Sequence, residues 1–267
     1  MINIQYKGRL GNNLIQYAAA YVLAKKTGLK LDAPHIRKYM NIGRLKTSSS
    51  TNDIIETDFG SVFEVNSLSG ESFNDFIELT DNNYFEHLKN PTPNKGYRLN
   101  GFFQDERLMV DYREEILNLY KLPKSDFIPN KNDAFAACRL GDCLVRPRIY
   151  CTIDYLDQQL QVKRDSYDEV YITSDTIDHP LLVDLIKKYD LTIYQNEPLD
   201  TILFACRFNN LILSAGSFSY WIAYLSEATN VTVFNNQTQD LMVDHTKRDP
   251  LQLQNAWNYN KDVNFSL

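Results

Sequence analysis

The sequence predicts an α/β protein made of two nucleotide-binding-type halves with a cleft between them. Three observations carry this expectation. Strand-like and helix-like runs alternate through the second half, the pattern of a parallel sheet covered on both faces. Each half holds a loop between a strand-like run and a helix-like one: Gly8-Arg9-Leu10-Gly11-Asn12-Asn13 in the first, Cys138-Arg139-Leu140-Gly141-Asp142 in the second. Between them, residues 123–133 are rich in Pro, Asn, Lys and Asp and read as a linker, giving domains over 1–125 and 126–267.

Residues 2–6 alternate as a strand. Leu14, Ile15, Ala18, Ala19, Val22 and Leu23 recur at helical spacing, and Lys25, Lys26 and Gly28 form a helix ending. Residues 47–53 read as an exposed polar loop, whereas 57–80 show no period that places them. A turn over 90–96 precedes a strand over 97–103 and a helix over 105–120. In the second half, strands are expected at 134–139, 169–173, 191–194, 210–213 and 231–234. Helices are expected at 152–162, 178–189, 198–207 and 218–226, with Thr152 capping the first and Pro180 in the first turn of the second. The residues after Gln237 are expected to cross back onto the first half.

A length of 267 residues suits one large domain or two compact ones, and 43% hydrophobic residues suffice for a sizeable core. The net charge of −6 argues against a nucleic-acid partner, which calls for a basic face. Cys138, Cys143, Cys151 and Cys206 form no C-x-x-C pair, and His35, His87, His179 and His245 are scattered, so no metal site is expected. No run is apolar for long enough to span a membrane, and the first residues alternate like a strand rather than a signal peptide. The expected location is the cytoplasm, with peripheral membrane contact allowed.

The loops at strand ends carry the candidate chemistry. Gly8 and Gly11 permit close backbone approach, and the following helix start favours anions. Local chemistry favours a plain glycine turn with an asparagine cap over that role. The pattern is neither G-x-G-x-x-G nor a P-loop, which disfavours a dinucleotide-dependent oxidoreductase. Arg139 can clamp a diphosphate or pair with Asp142, and Arg146 and Arg148 follow it. Asp175, in Thr173-Ser174-Asp175, can accept from a base or ribose hydroxyl, or cap the next helix together with Asp178. The strand-end loop Ser214-Ala215-Gly216-Ser217-Phe218-Ser219 can hold a phosphate through its hydroxyls and N–H groups, or Ser217 or Ser219 can cap the next helix. No nucleophile elbow is present, while a paired-carboxylate hydrolase stays open.

Five segments in order resemble the bacterial-type α-1,2-fucosyltransferase family. Gly8-Arg9-Leu10-Gly11-Asn12-Asn13-Leu14-Ile15-Gln16-Tyr17-Ala18 is similar to G-x-L-G-N-Q-x-F-Q-Y-A. Leu99-Asn100-Gly101-Phe102-Phe103-Gln104 is similar to L-x-G-Y-F-Q. Ala137-Cys138-Arg139-Leu140-Gly141-Asp142 is similar to H-x-R-R-G-D. Ile172-Thr173-Ser174-Asp175 stands for F-S-D-D, and Gly216-Ser217-Phe218-Ser219-Tyr220-Trp221 for a S-S-F-S-W-W-like run.

The resemblance implies a GT-B-like architecture of two facing Rossmann-like domains, acceptor-side first and donor-side second. It implies inverting, metal-independent transfer of fucose from GDP-fucose to a glycan hydroxyl, with no cofactor. On it, Arg139, Asp142 and Asn12 carry catalysis. Gly8, Arg9, Gly11, Asn12, Arg139, Asp175, Ser217, Phe218 and Ser219 hold the donor. Ala137 stands where the family has histidine and Leu140 where it has a second arginine. Those departures leave two alternatives: another sugar nucleotide, such as a pentose donor like xylose, or a non-catalytic glycan- or nucleotide-binding protein on the same scaffold.

Overall fold

The computed structural model describes residues 1–31, 36–41, 53–58, 63, 68–141, 152–214, 216–233 and 264–266. The chain divides into two compact units, Met1–Met40 with Ile54–Pro123 and Asn41–Asp53 with Lys124–Leu267. A separate strand pair joins β2 (Ile36–Asn41) to β3 (Asp53–Asp58), so Asp53, expected in a loop, opens a strand.

In the first unit, β1 (Ile2–Ile4) lies beside β5 (Gly96–Leu99), and β5 beside β4 (Phe76–Leu79), all parallel. The long helix α1 (Leu10–Thr27) follows β1. Leu14, Ile15, Ala18, Ala19, Val22 and Leu23 of α1 are buried, as the helical spacing predicts, and so are Tyr17 and Ala20. Gly28 ends it at φ 69°, a left-handed conformation suited to glycine, with its N–H on the Ala24 carbonyl. Two tyrosines pin α1 from other elements. The Tyr84 hydroxyl, at the start of α2 (Tyr84–Lys89), donates to the Ala19 carbonyl at 2.8 Å, and the Tyr120 hydroxyl donates to that of Leu14 at 2.7 Å. Burial pushes both phenols well above their usual range, so both stay protonated donors.

Two expectations for this unit need correction. The strand expected over 97–103 stops at Leu99, because the N–H groups of Phe102 and Phe103 turn to the Asp81 carboxylate. The helix expected over 105–120 is two, α3 (Glu106–Asp111) and α4 (Arg113–Leu119), broken at Tyr112 (φ −116°, ψ 26°). Buried Leu108, Met109, Ile116 and Leu119 would share one helical face, so periodicity gives no sign of that break. The segment that carried no period contains β4.

The second unit is a six-stranded sheet in the order β11-β10-β9-β6-β7-β8, with every paired neighbour parallel. The strands are β6 (Ala134–Cys138), β7 (Val170–Ser174), β8 (Thr192–Ile193), β9 (Asn210–Leu213), β10 (Asn230–Val233) and β11 (Asn264–Ser266). Counted from β6, this is the doubly wound order 3-2-1-4-5-6. The helices are α5 (Thr152–Lys163), α6 (Pro180–Tyr189), α7 (Pro198–Ala205) and α8 (Ser217–Leu225). One core gathers Ala134, Ala136, Cys138, Val170, Ile172 and Ile212 from the sheet with Leu156, Leu160, Leu182 and Leu185 from α5 and α6. Alternation along the strands sends Phe135 and Tyr171 to the opposite side, where they meet Phe204 and Phe208. Phe127 of the expected linker stacks on Phe204 with ring centroids 4.5 Å apart.

Residues 264–266 do not serve the first half. They form β11 and take the parallel edge of β10, with Asn230 opposite Asn264. Residues 234–263 lie outside the described residues.

Two outcomes follow from this packing. Tyr120→Phe removes the hydroxyl on Leu14, and urea denaturation should show a loss of about 1 kcal/mol. Cys206 is buried, its thiol donates to the Ile222 carbonyl at 3.4 Å, and burial pushes its pKa up. It is therefore a protonated, poor nucleophile at neutral pH. Mass spectrometry after native maleimide treatment should find Cys206 unmodified, and modified once urea is added.

Candidate functional site

In a doubly wound sheet, ligands seat outside the carboxyl ends of the strands where the order reverses. Here the reversal lies between β6 and β9. Arg139 follows β6 and Ser214 follows β9. The Arg139 N–H donates to the Ser214 hydroxyl at 3.1 Å, tying the two strand ends together. The Ser214 hydroxyl lies 3.4 Å from that of Ser219, which is buried. Gly216 caps α8 at φ 121°, so neither Ser217 nor Ser219 is the cap. A Cβ on Gly216 would lie 2.7 Å from Arg139 Nη1. The guanidinium thus rests against the start of α8. Its fixed charge and the helix's first-turn N–H groups form a positive locus, with half-buried Ser217 and Phe218 in that turn.

The loop that bears Arg139 is held by Asp175. Oδ1 of Asp175 accepts from the Leu140 N–H at 2.8 Å and the Gly141 N–H at 2.9 Å. The carboxylate packs so closely that a Cβ on Gly141 would lie 2.8 Å from Oδ2. The expectation that Asp175 and Asp178 cap the next helix is therefore wrong. His179 occupies the cap position of α6, and no side chain caps that helix. Parallel register explains the carboxylate's placement: Cys138 pairs with Ser174, so the residues that follow each strand come together.

The two departures from the family pattern have clear structural settings. Leu140 is buried with Leu156, Leu160 and Leu182, where it pegs the loop into the core. A charged guanidinium there would lose its hydration. Ala137 is 5% exposed within β6, and its carbonyl accepts the Ser214 N–H at 2.9 Å. Asp142, Arg146 and Arg148 lie outside the described residues.

The first unit presents a second locus at the end of β1. α1 begins at Leu10, with Arg9 as its cap residue, so Gly11, Asn12 and Asn13 already belong to its first turn. Asn13 and Gln16 are fully buried, and their amides hold one peptide. Asn13 Nδ2 and Gln16 Nε2 both donate to the Lys7 carbonyl at 3.1 Å, and Gln16 Oε1 accepts the Lys7 N–H at 3.0 Å. These two amides are structural. Asn12 differs: it is half-buried, and its Oδ1 accepts from Gln104 Nε2 at 2.7 Å. Gly8, at φ 74°, makes room for it, since a Cβ there would lie 2.1 Å from Asn12 Nδ2.

Gln104 has no role among the sequence expectations, whereas Ser214 and Gly216 belong to the strand-end loop expected to hold a phosphate. Gln104 and Gly216 stand at the ends of quoted motifs, a signal already on hand. Among the described residues, no group of three or more His, Cys, Asp or Glu side chains could hold a metal ion. No helix among them is long and apolar enough to cross a membrane.

Gly216→Ala should lower stability by about 1–3 kcal/mol in urea denaturation, since it adds left-handed strain and displaces the guanidinium. Gly141→Ala, which crowds Asp175, should cost a similar amount, about 1–3 kcal/mol.

Residues 1–261 match the family described as glycosyl transferase family 11. No curated protein matches the chain in sequence.

Proposed function

The chain belongs to glycosyl transferase family 11, the α-1,2-fucosyltransferase family, and from that membership we propose that this glycosyltransferase moves fucose from GDP-fucose to a glycan hydroxyl with inversion and without a metal. The architecture proposed for it is GT-B, with residues 1–125 on the acceptor side and 126–267 on the donor side.

The observation that carries this reading is Arg139 beside Gly216, at the switch point of the second sheet. Departure of GDP concentrates negative charge on the β-phosphate. A pre-positioned guanidinium and the first-turn N–H groups of α8 meet that charge where it develops, which lowers the barrier without reorganisation. Ser217 and Phe218 line the phosphate side, and the buried Ser219 hydroxyl supports Ser214. Asp175 acts by holding the Arg139 loop. Asn12 offers an amide N–H to the diphosphate or the acceptor, beside Gly8, Arg9 and Gly11. The acceptor hydroxyl attacks the anomeric carbon from the face opposite the diphosphate, and Asp142 is the carboxylate assigned to take its proton.

A second reading keeps the mechanism and changes the donor. Ala137, where the family has histidine, offers a base only a buried methyl group. A donor such as a UDP-pentose suits that change.

Purified protein should turn over GDP-fucose in the presence of glycan acceptors, and EDTA should leave the rate unchanged. Turnover of UDP-xylose with none of GDP-fucose would replace the first reading by the second. Arg139→Ala should lower kcat/KM by about 10²–10³-fold while the melting temperature stays within a few degrees. An unchanged rate would remove Arg139 from the mechanism.

A further inference from the structure

In the first unit, a residue outside every quoted motif holds a motif loop. We propose that Asp81 is a positioning residue for Asn12 and acts through Gln104. The inference rests on the reading above, in which Asn12 offers an N–H to the donor or acceptor.

Asp81 lies just past β4, in a position to reach the loop that leaves neighbouring β5. Its Oδ1 accepts the N–H groups of both Phe102 and Phe103, and its Oδ2 also accepts from Phe102 at 3.2 Å. Gly101 leaves room for this approach, since a Cβ there would crowd the Asp81 nitrogen at 3.0 Å and its carboxylate at 3.1 Å. Two successive N–H groups on one carboxylate cannot serve a strand ladder, so the chain turns out of the sheet. Phe103 takes φ 52°, an unusual conformation for a bulky residue. It is held at both ends: its N–H is on Asp81, and its buried ring lies 5.2 Å from that of Tyr84. The Phe103 carbonyl accepts the Asp105 N–H at 2.9 Å, which closes the turn.

The turn delivers Gln104 to Asn12. A side-chain amide can flip, exchanging its oxygen and nitrogen at little steric cost. Gln104 Nε2 opposes a flip of Asn12 alone by donating to its Oδ1. Asn12 is then fixed with its oxygen occupied and its Nδ2 against Gly8. A flipped amide would turn a carbonyl oxygen towards a phosphate or hydroxyl oxygen and repel it. Asp81 thus helps hold the Asn12 side chain in place from two loops away. Asp81 is exposed, so its truncation opens no core cavity.

The test uses the full-length ¹⁵N-labelled protein. The Asn12 side-chain NH₂ signals are assigned by their loss in Asn12→Asp. They should shift in Asp81→Ala as they do in Gln104→Ala, and stay near their original positions in Asp81→Asn, whose amide oxygen still accepts. Gly101→Ala, which crowds Asp81, should reproduce the shift, and it decides the matter with Asp81→Asn if Asp81→Ala does not fold. With GDP-fucose as the probe, Asp81→Ala should lower kcat/KM by up to about 10²-fold. Asp81→Asn should recover most of that loss. The double variant with Asn12→Ala should lose no more than Asn12→Ala alone. Asn12 signals that do not move, or losses that multiply in the double variant, would overturn the inference. If the unaltered protein does not turn over GDP-fucose, the donor reading fails, and the NMR comparison still decides the positioning.

Discussion

The candidate donor locus depends on one carboxylate. Asp175 accepts two consecutive backbone N–H groups from the loop that leaves the central strand β6. Hydrogen bonds to a charged group are worth about 1.5–3 kcal/mol each, enough to dictate the path of a short loop. On one side of this anchor, Leu140 drops into the core; on the other, Arg139 reaches Ser214 and Gly216 across the switch point. The arginine's own N–H is engaged, so its backbone is set before a ligand arrives. A phosphate site built this way needs little reorganisation on binding.

The first unit solves the same problem with different atoms. Asp81 follows one parallel strand and holds the loop of its neighbour, as Asp175 does. Adjacent parallel strands end side by side, so a short acidic side chain after one can reach the peptide groups after the other. The buried amides of Asn13 and Gln16 add a second anchor, on the peptide of Lys7. Asn13 and Gln16 therefore build the loop, while Arg9 and Asn12 stay half-exposed.

The parts of the fold set by local pattern could be read in the sequence. The spacing of Leu14, Ala18 and Leu23 marks α1, and Gly28 marks its end. The apolar runs of the second half mark nearly every strand of the doubly wound sheet. What stayed hidden rests on contacts distant in sequence. Asp175 looks like a helix cap beside Asp178 and Pro180; its actual partners are 34 and 35 residues away. Phe103 continues an apolar run and looks like strand, until Asp81 takes its N–H. The pairing of residues 264–266 with β10 is likewise a long-range choice that no local period reports. At the site, Arg139 and Asn12 were legible as chemical types. The residues that aim them were not.

Three glycines in these loops share one feature with a consequence for descent. Gly8, Gly141 and Gly216 each vacate a volume that a particular polar group enters: Asn12 Nδ2, Asp175 Oδ2 and Arg139 Nη1 respectively. Glycine and occupant are thus single units of inheritance. A lineage that loses the occupant is released from the crowding that bars a Cβ there. A lineage that keeps it is bound to the glycine. Across related chains Gly141 and its occupant should change together, whereas the positive φ of Gly8 and Gly216 disfavours a side chain there whatever becomes of Asn12 and Arg139.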